Sequence, residues 1–202
     1  MSTDAALPHS PAPHQATWLS LVADYALAYP DEHATATLFA QFMAVDALAA
    51  SRDRRDRHLT GSAWLVSADG RRALLTHHRK LDRWLQPGGH ADGDTDLPRV
   101  ALKEAEEESG LSGLVVEPCI FDLDRHRIPA RGDEPEHWHY DVRFVVHARG
   151  SDAFVVGEES HALAWVDIAT IARDPDYDES LRRMACRWLA RTTVARSGQV
   201  GA

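Results

Sequence analysis

The sequence is short of several things, and each shortage narrows what it can be. Its 202 residues hold two cysteines, Cys119 and Cys186, far apart and without metal-type spacing. A disulfide framework is therefore not expected, and a reduced, cytoplasmic protein is. No stretch approaches the roughly 18–20 apolar residues that span a bilayer, so no membrane association is expected. The opening MSTDAALPHSPAPHQ has no basic segment ahead of an apolar run, so a secretory leader is not expected. Positive charge is scarce too: 22 Lys and Arg against 31 Asp and Glu leave a formal net charge of −9. That balance argues against binding a nucleic acid polymer. It does not argue against a nucleotide substrate, because a bound divalent cation reverses the local sign. No internal repeat is visible.

What is present is enough for one good core: 44% of the residues are hydrophobic, and the length suits one catalytic domain with helical additions. Residues 1–16 are rich in proline, serine and alanine and read as a disordered lead-in. Apolar residues at helical spacing predict one helix from Thr17 to about Tyr29, closed by Pro30, and a second from about Glu32 to Ala50. The pair makes an N-terminal helical extension over residues 17–57, suited to packing or to dimerisation, and the charge run SRDRRDR ends it. After His58 the period becomes two. Ser62–Ser67 and Arg72–Thr76 predict a hairpin turned by Asp69-Gly70. A short strand through Trp84-Leu85 leads to a glycine turn at Gly88-Gly89. Further strands are expected at about Leu114–Leu123, His137–Ala148 and Ala162–Val166, and a C-terminal helix over residues 176–195, centred on Glu179–Thr192. Residues 196–202 read as a loose tail. Helices, mixed strands, a helix, strands and a helix suit an α/β sheet sandwiched between helices.

The helix after the glycines is anomalous. Thr95 or Asp96 can cap it, Pro98 suits its first turn and Gly110 its end. At about 100° per residue, Val100, Ala101, Glu104, Ala105 and Glu108 all fall within about 80° of Leu97. Glu107 lies at the edge of that stripe and Glu106 on the far side. An ionised carboxylate on a buried stripe costs several kcal/mol unless it is paired or binds metal. Something cationic is therefore expected to gather these groups.

The spacing resembles the Nudix box: glycine, five residues, glutamate, seven residues, then Arg-Glu-apolar-x-Glu-Glu-x-Gly-apolar. Here the opening glycine is Gly89, preceded by WLQPG, and the close reads Lys103-Glu104-Ala105-Glu106-Glu107-Glu108-Ser109-Gly110-Leu111. Two positions depart: Thr95 stands for the first glutamate and Lys103 for the arginine. Lysine offers a point charge where arginine offers a bidentate fork, so a coupled change is expected at this pair. The resemblance implies a Nudix-type α/β/α sandwich with a mixed β-sheet over residues 58–175. It also implies Mg²⁺, with Mn²⁺ as a substitute, held by Glu104, Glu107, Glu108 and the backbone carbonyl of Gly88. A further family carboxylate six residues ahead of a tryptophan matches Glu159 before Trp165, as metal ligand or general base. Glu107, Glu108 and Glu159 are thus the catalytic candidates.

Two other stretches carry polar chemistry. His77-His78-Arg79-Lys80, followed by Arg83 and Trp84, precedes the glycines, and Arg79 and Lys80 are candidates to meet phosphate. On the strand from His137, the residues His137, His139, Asp141 and Arg143 share one face. That face can be solvated, can meet substrate through His139, Asp141 and Arg143, or can hold a separate transition metal through imidazole and carboxylate. His90 and Asp92, just after the glycines, are free positions in the box. The expectation is a Mg²⁺-dependent hydrolase cleaving the diphosphate of a small nucleoside diphosphate derivative. The alternative is a non-catalytic sensor of a nucleotide or ADP-ribose-like ligand. A homodimer is left open.

Overall fold

The computed structural model describes residues 13–79, 82–150, 152–157 and 160–198. Among the described residues five α-helices and seven strands follow one another: α1 (Pro13–Ala28), α2 (His33–Val45), β1 (Arg57–Val66), β2 (Arg72–His78), β3 (Arg83–Leu85), β4 (Gly88–His90), α3 (Leu97–Ser109), β5 (Val115–Ile128), β6 (His137–His147), β7 (Ser160–Asp167), α4 (Ile168–Arg173) and α5 (Glu179–Gly198). The strands form one mixed sheet in the order β3-β2-β1-β6-β5, with β4 paired to β1 and β7 to β2.

The central strand β1 is buried almost throughout, and its alternation divides the core. Leu59 belongs with Trp18, Phe39, Phe42, Leu97, Val100 and Tyr140 on the face covered by α1, α2 and α3. Trp64 and Val66 belong with Ile168, Leu181, Met184 and Trp188 on the face covered by α4 and α5. This is the α/β/α sandwich expected from the order of elements. The main pairing of β1 was not anticipated. It runs parallel to β6 from Arg57↔Trp138 to Val66↔His147, while the expected hairpin with β2 contributes only Val66↔Ala73. Its turn does use Gly70, at φ +68.

Several boundaries differ from expectation. Helix α1 starts at Pro13, inside the stretch read as a lead-in, because Gln15 is buried and donates to the Met43 carbonyl at 3.1 Å. Residues 1–12 lie outside the described part. Helix α2 stops at Val45 rather than Ala50, since Asp46 turns extended and its carboxylate accepts from Leu48 N–H at 3.0 Å. Strand β5 continues to Ile128, paired along β6 as far as His137. Helix α5 runs on to Gly198, into the expected tail. Both cysteines are free and exposed. Among the described residues no helix is long and apolar enough to cross a membrane.

The N-terminal helices are built into this architecture. Arg187 of α5 donates to the Tyr25 hydroxyl at 3.2 Å and pairs with Glu32 at 2.6 Å. The Trp18 indole donates to the Thr95 carbonyl at 2.9 Å, immediately ahead of α3. The extension thus reaches the loop that presents the glutamate helix.

Candidate functional site

Helix α3 forms where its signals place it. The Asp96 carboxylate accepts from Arg99 N–H, Pro98 sits in the first turn, and Gly110 closes the helix at φ +67. Leu97, Val100, Ala101 and Ala105 are buried, which seats the helix on the sheet. The seat leaves the Glu104 side chain only 17% exposed. Glu108 is half-buried and accepts from the Gly88 amide at 2.8 Å. Glu107 stands further out, at 59% exposure, and Glu106 faces solvent. Lys103 Nζ lies 3.3 Å from Glu104 and 3.1 Å from Glu107. Its pKa is raised, foremost by the bond to Glu107; burial opposes this, and the charge of Glu104 adds to the rise.

The two glycines are not a tight turn, as expected, but part of a short strand antiparallel to β1, with Gly61↔Gly89 and Ser62↔Gly88 in register. Neither has positive φ. Glycine is required by proximity instead. A Cβ at Gly88 would lie 2.1 Å from the Ser62 hydroxyl, and one at Gly89 would lie 2.5 Å from a Glu104 carboxylate oxygen. Strand β4 is therefore pressed between β1 and the carboxylates of α3, and no side chain fits. The structure brings together Glu104, Glu108 and the Gly88-Gly89 backbone, with Glu107 joined to Glu104 through Lys103. The donors are all hard oxygen, the set Mg²⁺ prefers. The Lys103 ammonium lies between two of the carboxylates.

Of the other residues singled out by sequence, Arg79 is exposed and donates to the Ser160 carbonyl at 3.3 Å, at the mouth of β7. Lys80 and Glu159 lie outside the described residues.

The alternating face of β6 is not solvated. Asp141 and Arg143 are each 2% exposed. One Asp141 oxygen accepts from Thr60 at 2.8 Å and Ser62 at 2.7 Å, and the other from Arg143 at 2.7 Å and Gln86 at 3.3 Å. Arg143 also reaches Asp122 and Asp124, which Arg183 binds from α5. Arg187 completes the group on Asp122 at 2.8 Å. Burial opposes the charge of Asp124, yet the bonds from His126, Arg143 and Arg183 hold its carboxyl well below the usual range. Asp141 and Arg143 are buried and bonded within this network, which corrects the expectation that they meet substrate. They brace the sheet beneath β4.

His139 separates from Asp141 and joins a different group. The rings of His58, His90, His137 and His139 gather at one end of β1, β4 and β6, and one ring nitrogen from each lies within 4.8 Å of the others. Burial, then the neighbouring imidazoles, pulls His139 down to about 2 and His90 to about 4. Burial also lowers His58. All three are neutral at pH 7. His58 was read only as a boundary, and His90 only as a free position. The signal that could have found His58 is its alternation with Thr60 and Ser62, which mirrors His139, Asp141 and Arg143 across the parallel pair.

Both groups lie within the part of the chain that known proteins match. Residues 56–188 match the family model described as NUDIX domain. An RNA pyrophosphohydrolase of Sphingopyxis alaskensis is 29% identical over 105 residues, which cover 46% of this chain and 65% of that protein's own length. A MutT protein from Methanosarcina mazei Go1 has a similar fold, with TM-score 0.53 at 16% identity, over 69% of this chain and 97% of that one. The E. coli dihydroneopterin triphosphate pyrophosphohydrolase superposes with TM-score 0.50 at 16% identity, over 66% and 95%.

Proposed function

Because this chain belongs to the NUDIX family of hydrolases, we propose that it is a Mg²⁺-dependent hydrolase cleaving the diphosphate linkage between a nucleoside and another group. The observation that carries this reading is the arrangement of Glu104 and Glu108 against a side-chain-free Gly88-Gly89 backbone, in the spacing of the box. Glu104, Glu107, Glu108 and the Gly88 carbonyl would hold the metal, with Mn²⁺ able to replace Mg²⁺. When bound, the metal neutralises phosphate charge and acidifies water.

The rest is the work of the chain's own groups. The Gly88 amide fixes one Glu108 oxygen and aims the other. Lys103 holds Glu104 and Glu107 in one neighbourhood at low repulsion while no metal is present, a part for which lysine suffices where the box has arginine. Thr95 contributes no carboxylate; its carbonyl anchors the loop to Trp18 instead. Arg79 and Lys80 are proposed to meet the phosphates, and Glu159 to take the proton of the attacking water. The net charge of −9 favours a small nucleoside diphosphate derivative over a polymer.

The test is a panel of nucleoside diphosphate sugars, dinucleoside polyphosphates, ADP-ribose, NADH, nucleoside triphosphates and 5′-triphosphorylated RNA, assayed for phosphate and nucleotide release with Mg²⁺. Turnover of at least one small diphosphate, abolished by chelator and restored by Mg²⁺, is expected. Tight binding of a panel member without turnover of any would convert the protein to the sensor class. Preference for the RNA would overturn the small-molecule assignment.

A further inference from the structure

The histidine group lies apart from the proposed catalytic chemistry, and its geometry is that of a ligand set. His58 is on β1, His90 on β4, and His137 and His139 on β6. The ring centroids of His58 and His90, His58 and His137, His90 and His139, and His137 and His139 are each 5.0 Å apart, and those of His58 and His139 are 4.9 Å apart. His137 Nε2 and His139 Nε2 face each other at 3.1 Å. Two further ring nitrogens, His58 Nε2 and His90 Nε2, are buried without a hydrogen-bond partner among the described residues, and His58 as a whole is 3% exposed. A buried imidazole nitrogen left without a partner is costly and calls for an explanation.

The outer nitrogens are set for metal. His58 Nδ1 lies 3.1 Å from the Arg54 carbonyl and His137 Nδ1 lies 2.9 Å from the Pro135 carbonyl. A carbonyl can only accept, so both Nδ1 atoms carry the proton and both Nε2 lone pairs point inward. Backbone carbonyls on the distal nitrogen are the usual support of a metal-bound histidine.

We propose that His58, His90, His137 and His139 form a closed, tetrahedral Zn²⁺ site that clips β4 to β1 and β6. Zn²⁺ bound at about 2.0–2.1 Å by four nitrogens puts them about 3.3 Å apart. One pair here is already near that value, and the widest separation, up to 4.8 Å, needs only to close by about 1.5 Å. Four imidazole ligands suit Zn²⁺ and not Mg²⁺, which requires oxygen. They also fill the tetrahedron, so the site has no open position for substrate and is structural. Asp141, two residues beyond His139 on β6, is committed to Thr60, Ser62, Arg143 and Gln86 and is not a ligand. A cavity of about 310 Å³ reaches His58 and His137 past Arg52, Arg55, Asp133 and Glu134, which gives the ion a route in. His90 follows Gly89 directly, so the clip fixes the strand that lies against Glu104.

The experiment uses the full chain purified without a polyhistidine tag, stripped with chelator and titrated with Co²⁺ and then Zn²⁺. One equivalent of Co²⁺ should give the intense visible absorption of a tetrahedral site, Zn²⁺ should displace it, and the melting temperature should rise. The signal should survive Glu107→Gln and Glu108→Gln, which separates this site from the glutamates. His90→Gln and His139→Gln should weaken Zn²⁺ by at least the roughly 10–100-fold that loss of a supporting group alone costs. The proposal fails if the wild-type protein gives no such band at one equivalent. It also fails if folded His90→Gln and His139→Gln proteins bind unchanged, or if the band disappears with the glutamate variants. Should the histidine variants not fold, the wild-type spectrum decides alone.

Discussion

Two groups of metal-competent side chains flank the short strand β4, and they are built in opposite ways. The glutamates come from one helix, present oxygen, and stay partly open to water, with Glu107 at 59% exposure. The histidines come from three strands, present nitrogen, and are more enclosed, with His58 and His137 each 3% exposed and His90 and His139 half-buried. An open oxygen set suits a cation that must be shared with a phosphate substrate. A closed nitrogen set suits one that stays. The chain thus separates chemistry from scaffolding by donor type and by burial, across a strand of three residues.

Four substitutions would break or sharpen that contrast. The largest effect is expected from Glu108→Gln, which keeps an oxygen for the Gly88 amide but removes the charge. Turnover should fall by at least about 10³-fold, or about 4 kcal/mol of transition-state stabilisation, with an unchanged circular dichroism spectrum. Near-normal rates for both this variant and Glu107→Gln would place the chemistry elsewhere. Next is Arg143→Met, which leaves the buried Asp141 without its cationic partner; a loss of about 3–5 kcal/mol in urea unfolding is expected. Gly88→Ala forces a methyl toward Ser62 and should cost about 1–3 kcal/mol, with activity reduced as β4 moves off the carboxylates. If activity were lost without any change in stability, the glycine would act on substrate rather than on packing. The smallest effect is that of Trp18→Phe, which removes the bond to the Thr95 carbonyl. Thermal melting should report about 1 kcal/mol and turnover should change less than in the other three.

How much of this the sequence disclosed follows from the range of the interactions. Helix α3 was legible because its cap at Asp96, its stop at Gly110 and its carboxylates at i, i+3 and i+4 are local. The layers and the mixed sheet followed from the order of elements. The role of Gly88 and Gly89 did not: the backbone there is ordinary, and the need for glycine comes from Ser62 and Glu104, which only the folded chain brings near. Asp141 and Arg143 looked like an exposed polar face because alternation cannot tell which side of a strand another helix covers. Arg183 and Arg187, which neutralise that face, come from α5. The histidine group was half visible, as the pair His137 and His139. Its other half depends on the parallel pairing His58↔His139 and the antiparallel pairing Thr60↔His90, neither of which a period of two can reveal.

The hydrogen bond from Trp18 to the Thr95 carbonyl has a practical corollary for the limits of the catalytic unit. The family match begins at residue 56, yet Trp18, Phe39 and Phe42 lie in the same apolar cluster as Leu97, Val100 and Tyr140. A fragment cut at the homology boundary would lose the roof over the helix that bears Glu104 and Glu108. The family match and the packed core therefore have different borders here: the match starts just ahead of β1, whereas the apolar cluster that seats α3 also takes in α1 and α2.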